Sequence, residues 1–245
     1  MPQSDPKIRL FVEAPLGEGA EVALGREQAH YLTGVMRRGA GDAVALFNGR
    51  DGEWAAEIVS AGKRAVTLAC RARLRDQTEA PDVWLLFAPI KKARTDFIAE
   101  KACEMGCRRV LPVFTRFTNA ERVNAGRLRA HAVEAAEQCG LLSVPEIAEP
   151  QPLERALGGW PEDRRLLFCD EAGQGRPAME VLAEAGPGPW AVLIGPEGGF
   201  SEEEAARLRA LPFARAAGLG PRVLRADTAA VAALAVLQTV VGDWR

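Results

Sequence analysis

A small β-rich domain over residues 1–75, followed by a larger α/β domain over 76–245 with a largely parallel sheet, is predicted by three observations. Residues 7 to about 73 hold short β-type runs broken by turn residues, with only one helix-like stretch. From Val83 onward, apolar strand-like runs alternate with helical patterns, the order that gives a parallel sheet covered by helices on both faces. Finally, two Gly-Pro loops, LIGPEGGFS at Leu193 to Ser201 and LGPRVLRADTA at Leu219 to Ala229, each follow an apolar run and lead into a helix-like stretch. That position is the carboxyl end of a strand, where open α/β sheets bind ligands.

In order along the chain, IRLFVE, AEVAL, DAVALFNG, GEWAAEIVSAG and AVTLACRARL have the length and turn spacing of a small barrel. Gln28 to Arg38 reads as its helix. The polar stretch Asp76 to Pro81 reads as a linker. Then come strand VWLLFAP, helix Thr95 to Met105 stopped by Gly106, strand RVLPVF, and helix Ala125 to Cys139 stopped by Gly140. Strand RLLFCDE, a helix near Ala178 to Ala185, strand WAVLI and helix Glu202 to Ala210 follow. Ser201 and Glu204 have the spacing of a capping box. Strand FARAAGL and a last helix from about Thr228, with Asp227 or Thr228 as its N-cap, complete the domain. That last helix, TAAVAALAVLQTVV, is apolar almost all round. It must be buried on more than one side, in the centre of a monomer or at a subunit interface.

Neither loop is a G-x-G-x-x-G nucleotide fingerprint, and no Gly-Lys-Ser/Thr makes a Walker loop. Either alone could be an ordinary strand-to-helix turn; together they imply a pocket. Gly195, Gly198, Gly199 and Gly220 allow close backbone approach, while Pro196 and Pro221 stiffen the turns.

GPEGG followed by LGPRVLR resembles the C-terminal signature of SPOUT-superfamily RNA methyltransferases, and specifically the RsmE family, which methylates N3 of a uridine in 16S ribosomal RNA. The resemblance extends to His30, Val35, Met36, Arg37 and Gly41-Asp42, to Lys101, Glu104 and Gly106, and to AEQCG at Ala136 to Gly140 with Val144-Pro145-Glu146. It implies a PUA-like RNA-recognition barrel before a SPOUT domain with a deep trefoil knot, and a homodimer formed by the methyltransferase domains. It also implies S-adenosylmethionine as cofactor and 16S rRNA or the small ribosomal subunit as substrate.

Carried onto this sequence, the resemblance puts the cofactor among three segments: Phe168, Cys169, Asp170 and Glu171; Gly195, Pro196, Gly198 and Gly199; and Leu219, Gly220, Val223 and Leu224. Uracil N-methylation requires the N3 proton to leave and the nitrogen to line up behind the methyl group. The candidates are Glu197, as base or orienter if burial raises its pKa, and Arg222, as partner for the charge on a uracil oxygen, with Arg225 nearby. Alternatively, Glu197 and Arg222 pair with each other to fix the loops. RNA contact is suggested by Arg37 and Arg38, by Lys91, Lys92 and Arg94, and by Arg116, although such charges also make ordinary solvated faces. Phe117 and Leu141 stand where the family carries basic residues, which departs from its pattern. Two other readings stay open: a SPOUT enzyme acting on a ribose 2′-hydroxyl or another base, and a non-catalytic RNA-binding assembly factor.

Composition suits a soluble enzyme. Net charge is −2, with 11 Lys/Arg against 9 Asp/Glu in residues 1–75 and 20 against 24 in the remainder, so RNA binding needs a local basic patch rather than a basic chain. Five cysteines and two histidines have no zinc-ligand spacing, so no metal is expected, and the thiols are expected to be reduced and buried, with Cys103 and Cys107 on one helix face. No signal peptide or membrane-spanning run is read, and a cytoplasmic location is expected.

Overall fold

The computed structural model describes residues 6–62, 65–120, 122–170 and 175–244. The chain forms two compact units: residues up to Glu79 together with Ala136–Ser143, and Ala80–Ala135 together with the chain from Val144 onward.

In the first unit, β1 (Arg9–Phe11), β2 (Glu21–Leu24), β3 (Ala43–Phe47), β4 (Glu53–Ala61) and β5 (Val66–Arg75) form one sheet in the order β1-β3-β4-β5-β2. The β1–β3 pair is parallel and the others are antiparallel. Alternate residues of the strands, among them Leu10, Val22, Leu46, Ile58 and Leu68, share one core with Ala29 and Leu32. The single helical stretch is shorter than predicted. α1 covers Arg26–His30 and passes into a π-helical turn at Tyr31–Val35, and Arg37 adopts a left-handed conformation (φ 51°) that ends it.

Glu53 is the polar centre of this unit. Its side chain is 7% exposed, and its two oxygens accept from Arg9 Nε at 2.5 Å and from Arg75 Nε at 2.6 Å. Arg9 also donates to the carbonyls of Ala136, Glu137 and Leu141 and stacks its guanidinium over Phe47. One buried carboxylate thereby fixes the arginine that holds residues 136–141 within the unit.

The second unit is built on β6 (Val83–Phe87), β7 (Arg109–Phe114), β8 (Glu146–Ile147), β9 (Gln151–Pro152), β10 (Arg165–Cys169), β11 (Arg176–Pro177), β12 (Trp190–Ile194) and β13 (Ala214–Gly218). The sheet runs β11-β13-β10-β12-β6-β7-β8, with β9 beside β7, and every pairing is parallel. α2 (Lys92–Glu104), α3 (Ala125–Gln138), α4 (Leu153–Leu157), α5 (Ala178–Ala185), α6 (Glu202–Ala210) and α7 (Ala226–Val240) supply the helices. The sheet is covered on both faces because its strands are apolar on both. In β12, Trp190, Val192 and Ile194 face a core with α2, α5 and α7. Ala191 and Leu193 face a second core with α4 and α6.

Several local expectations change. α2 begins at Lys92 rather than Thr95, because the Lys91 carbonyl accepts from the Arg94 and Thr95 N–H groups and closes the first turn ahead of Thr95. Gly106 (φ 75°) ends the chain's helical course before Cys107, so Cys103 and Cys107 do not share a helix face, though both are buried. Cys139 is exposed. α7 starts at Ala226 with Arg225 at its N-cap and no side-chain cap, while Asp227 accepts from the Thr228 N–H. The Ser201–Glu204 capping box is present as read. β8, β9, β11 and α4 span five residues or fewer and were not anticipated. α7 buries Ala230, Ala233, Leu234 and Leu237 against the sheet and leaves Ala232, Ala235 and Val236 half-buried. Near its C-terminal end, Gln238 is wholly buried and donates to the Met105 carbonyl at 2.6 Å. Among the described residues, no helix is long and apolar enough to cross a membrane.

Burial raises the Glu53 pKa, but hydrogen bonds and charge from Arg75 and Arg9 outweigh it and hold the group below its ordinary value. A depressed carboxylate pKa contributes stability that is present above the unfolded-state value of 4.5 and is lost as pH falls through the folded-state value. Glu53→Gln should therefore cost about 1.5–3 kcal/mol at pH 7. The gap between wild type and variant should close as pH falls below the carboxylate range, as measured by urea denaturation at a series of pH values.

Candidate functional site

Because the sheet is parallel, the carboxyl ends of β13, β10, β12, β6 and β7 lie along one edge; the register pairs Cys169 with Ala217, Phe168 with Leu193, and Ile194 with Phe87. The loops that leave this edge carry most of the glycines and prolines singled out in the sequence. Two cavities result, and they share the loop after β12.

The first, of about 520 Å³, opens over β10, β12 and β13. Cys169 and Asp170 line one part, Gly195, Pro196, Glu197 and Gly199 another, and Leu219 to Arg225 with Ala226 and Ala229 the rest. Its volume is that of a small-molecule site, and glycine, proline and apolar residues make up most of its lining. The close approach depends on glycine. A Cβ on Gly195 would meet the Phe200 ring at 2.7 Å, and Gly220 has φ of 118°. Leu219, Val223 and Leu224 offer apolar surfaces at the same opening, with Val223 84% exposed. Such a cavity can take a flat heteroaromatic group between apolar side chains while backbone groups pair with its edge.

Of the residues assigned from sequence to a cofactor, Cys169, Asp170, Gly195, Pro196, Gly199, Leu219, Gly220, Val223 and Leu224 meet at this cavity. Two do not line it. Phe168 is fully buried in the opposite core with its ring edge-on to Phe200, as strand alternation requires. Gly198 faces the loop after β7, where a Cβ would lie 3.2 Å from Phe117 Cβ. Glu171 lies outside the described residues.

The charged residues are arranged otherwise than expected. Glu197 is 43% exposed at its side chain rather than buried, and its partner is Arg94 at 3.0 Å, not Arg222. The same guanidinium reaches Asp227 at 3.6 Å. Arg94, read as an RNA contact, thus ties the loop after β12 to the first turn of α7. Arg222 is exposed on the cavity and makes no ion pair or hydrogen bond among the described residues. Asp170 is buried and takes two hydrogen bonds from Arg209 of α6, at 2.9 and 2.6 Å. Arg209 was missed by sequence reasoning, and nothing in its surroundings on α6 marks it, because its partner is 39 positions away.

The second cavity, of about 740 Å³, lies over β6, β7 and β12. Pro89 to Lys92 and Thr95-Asp96 border it on one side, Asn119-Ala120, Arg122 to Asn124 and Arg127-Leu128 on another, and Pro196-Glu197 form the wall shared with the first. Lys91 and Lys92 are exposed at this cavity. Arg116 lies elsewhere: its backbone N–H donates to Glu204, and it lines a separate cleft with α4 and α6. Phe117 is 44% exposed. Arg37 and Arg38 belong to the first unit. Arg37 is exposed, and Arg38 lies 3.8 Å from Asp42. Among the described residues, no group of His, Cys, Asp and Glu could hold a metal ion.

The sequence profile of the RNA methyltransferase domain matches residues 78–238, and that of the RNA methyltransferase PUA domain matches residues 24–69. The chain belongs to the RNA methyltransferase family. It is 27% identical to Ribosomal RNA small subunit methyltransferase E of Rickettsia conorii, over 93% of each chain. To the protein of that name in Bacillus subtilis it is 26% identical, over 94% of this chain and 95% of the other. Among solved structures, a Legionella pneumophila methyltransferase in complex with SAM matches with a TM-score of 0.87 at 29% identity, covering 96% of this chain and 98% of the other. Ribosomal RNA small subunit methyltransferase E from Neisseria gonorrhoeae shares the fold at a TM-score of 0.86 and 24% identity, covering 97% and 99%.

Gly220→Ala places a Cβ on a backbone that L side chains rarely adopt, at a cost of about 1–3 kcal/mol if that conformation is retained. Because the strain falls on the cavity loop, the variant should bind cofactor roughly tenfold or more weakly. Isothermal titration calorimetry beside a thermal melt checks this, and the melt should move by no more than a few degrees.

Proposed function

We propose that this protein transfers a methyl group from S-adenosylmethionine to N3 of a uridine in 16S rRNA of the small ribosomal subunit. The observation that carries this reading is the convergence of the Cys169-Asp170, Gly195–Gly199 and Leu219–Leu224 segments on one glycine-lined cavity. Its membership of the RNA methyltransferase family, the names of its relatives and the SAM-bound Legionella structure support it.

Cys169, Leu219, Val223 and Leu224 would hold the adenine, with the backbone of Gly195, Pro196 and Gly199 against the rest of the cofactor. When bound, the cofactor supplies an electrophilic methyl on a sulfonium sulfur. The chain's own residues then deliver uracil N3 in line and keep water out. Arg222, cationic and without an ion-pair partner at the cavity, can stabilise the negative charge that gathers on the uracil oxygens as the N3 proton leaves. Glu197 Oε1 is held by Arg94, which leaves its second oxygen to accept that proton or orient the ring. N3 then bonds to the methyl carbon as the sulfur–methyl bond breaks, and the sulfur keeps the electron pair.

In this reading residues 1–75 are a PUA-like RNA-recognition domain, with Arg37 and Arg38 as contacts. Residues 76–245 are the catalytic SPOUT domain, with Lys91, Lys92 and Arg116 toward RNA. A deep trefoil knot belongs to the same reading. It is supported by the strand order β13-β10-β12, in which the chain leaves β12, crosses β10 to form β13, and returns as α7 to pack on β12. The half-buried face of α7 is the proposed contact of a homodimer, and the protein is placed in the cytoplasm.

The test is transfer of tritiated methyl to free 16S rRNA and to intact small subunits, followed by nucleoside analysis. Label in 3-methyluridine is expected; label in another nucleoside or in a ribose overturns the assignment of N3. Arg222→Ala should lower kcat roughly 100-fold with cofactor affinity kept. Arg94→Ala should lower kcat and weaken cofactor binding together, because it releases both Glu197 and Asp227.

A further inference from the structure

Adjacent strands β6 and β12 send their chains in opposite directions across the sheet: β6 continues through α2 to β7 on one side, and β12 through α6 to β13 on the other. The crevice between such diverging connections is where open parallel sheets receive ligands. The larger cavity lies there, bounded by the loops after β6, β7 and β12, whereas the proposed cofactor cavity sits one strand further along.

Its chemistry is lopsided. Among the described residues, Lys91, Lys92, Arg122 and Arg127 face it against two carboxylates, Asp96 and Glu197. Both carboxylates are already taken. Asp96 is buried and receives Arg127 Nε at 3.0 Å and Nη2 at 2.6 Å, and Glu197 is paired with Arg94. The side chains of Lys91, Lys92 and Arg122 are exposed and make no ion pair or hydrogen bond among the described residues. Three uncompensated cations at the mouth of a cavity favour an anion with its charge outside and its body inside. The body would meet Pro89, Ile90, Val123, Leu128 and Pro196, which are apolar, with the exposed Asn119 at the entrance. That is a surface for a flat ring attached to phosphate.

We infer that this second cavity receives the target nucleotide of the RNA, with its phosphates against Lys91, Lys92 and Arg122 and its base directed at the Pro196-Glu197 wall that separates it from the cofactor. The inference rests on the methyl-transfer reading and adds to it the place of the substrate. Cofactor and nucleotide approach the loop after β12 from opposite sides, and Glu197 is the acidic side chain that lines both cavities.

The experiment uses the full chain, S-adenosylmethionine and 16S rRNA carrying 4-thiouridine at the methylated position. Irradiation should crosslink that nucleotide to residues 89–92, 119–120 or 122–124; a crosslink confined to residues outside the cavity and its loops overturns the inference. In parallel, the triple variant Lys91→Ala/Lys92→Ala/Arg122→Ala should weaken rRNA binding tenfold or more. It should also reduce the slope of log Kd against log salt by about three, one per cation removed. Cofactor Kd and melting temperature should stay at wild-type values, and Lys91→Arg/Lys92→Arg should restore RNA affinity. Unchanged rRNA affinity and salt slope in the triple variant also overturn the inference. If the wild type labels a nucleoside other than uridine, the N3 reading falls, while a crosslink made with a photoreactive analogue of the labelled nucleoside at that site still decides the cavity.

Discussion

Everything functional in the second unit depends on five neighbouring parallel strands ending at one edge. A parallel sheet requires each strand to be followed by a crossover, so each loop after a strand is delivered to the same side. The loops after β10, β12 and β13 close round one cavity, and those after β6, β7 and β12 round another. The loop after β12 serves both. That double duty accounts for its composition: Gly195 makes room for Phe200, Gly198 for Phe117, and Pro196 fixes the wall between the cavities.

Ion pairs of long sequence separation then set the loops. Arg94 joins Glu197 to Asp227, Arg209 grips Asp170, and Arg127 grips Asp96. In each, an arginine from a helix meets a carboxylate at the functional edge, and the buried members, Asp96 and Asp170, each take two hydrogen bonds from one guanidinium. The planar fork suits this role in a way an ammonium would not. These pairs also explain how a chain with a net charge of −2 presents a basic cavity. Among the described residues, the acids at the cavity, Asp96 and Glu197, are consumed by internal partners, while Lys91, Lys92 and Arg122 are left over. The first unit uses the same device at Glu53, where two arginines meet one buried carboxylate.

The fold class and the larger part of the cofactor cavity were legible in the sequence because both rest on local patterns. Alternating apolar strands and helices follow from burial on both sheet faces, and glycine with proline after a strand follows from the backbone a tight loop needs. The GPEGG and LGPRVLR segments therefore mark the loops that line the cavity, Gly198 excepted, which faces Phe117 instead. Phe168 was misjudged for a similar reason: it is next to Cys169, but strand alternation sends its side chain to the opposite core.

Sequence by itself determined the order of elements, the family and the two glycine-proline loops, since each is written in residues close together along the chain. Tertiary structure alone decided which charges meet. Arg94 stands 103 positions from Glu197, and Arg209 stands 39 from Asp170. No local pattern encodes such pairs, so Glu197 could be named as functional while its partner could not. The second cavity was equally hidden, because its walls come from three loops that only the strand order places side by side.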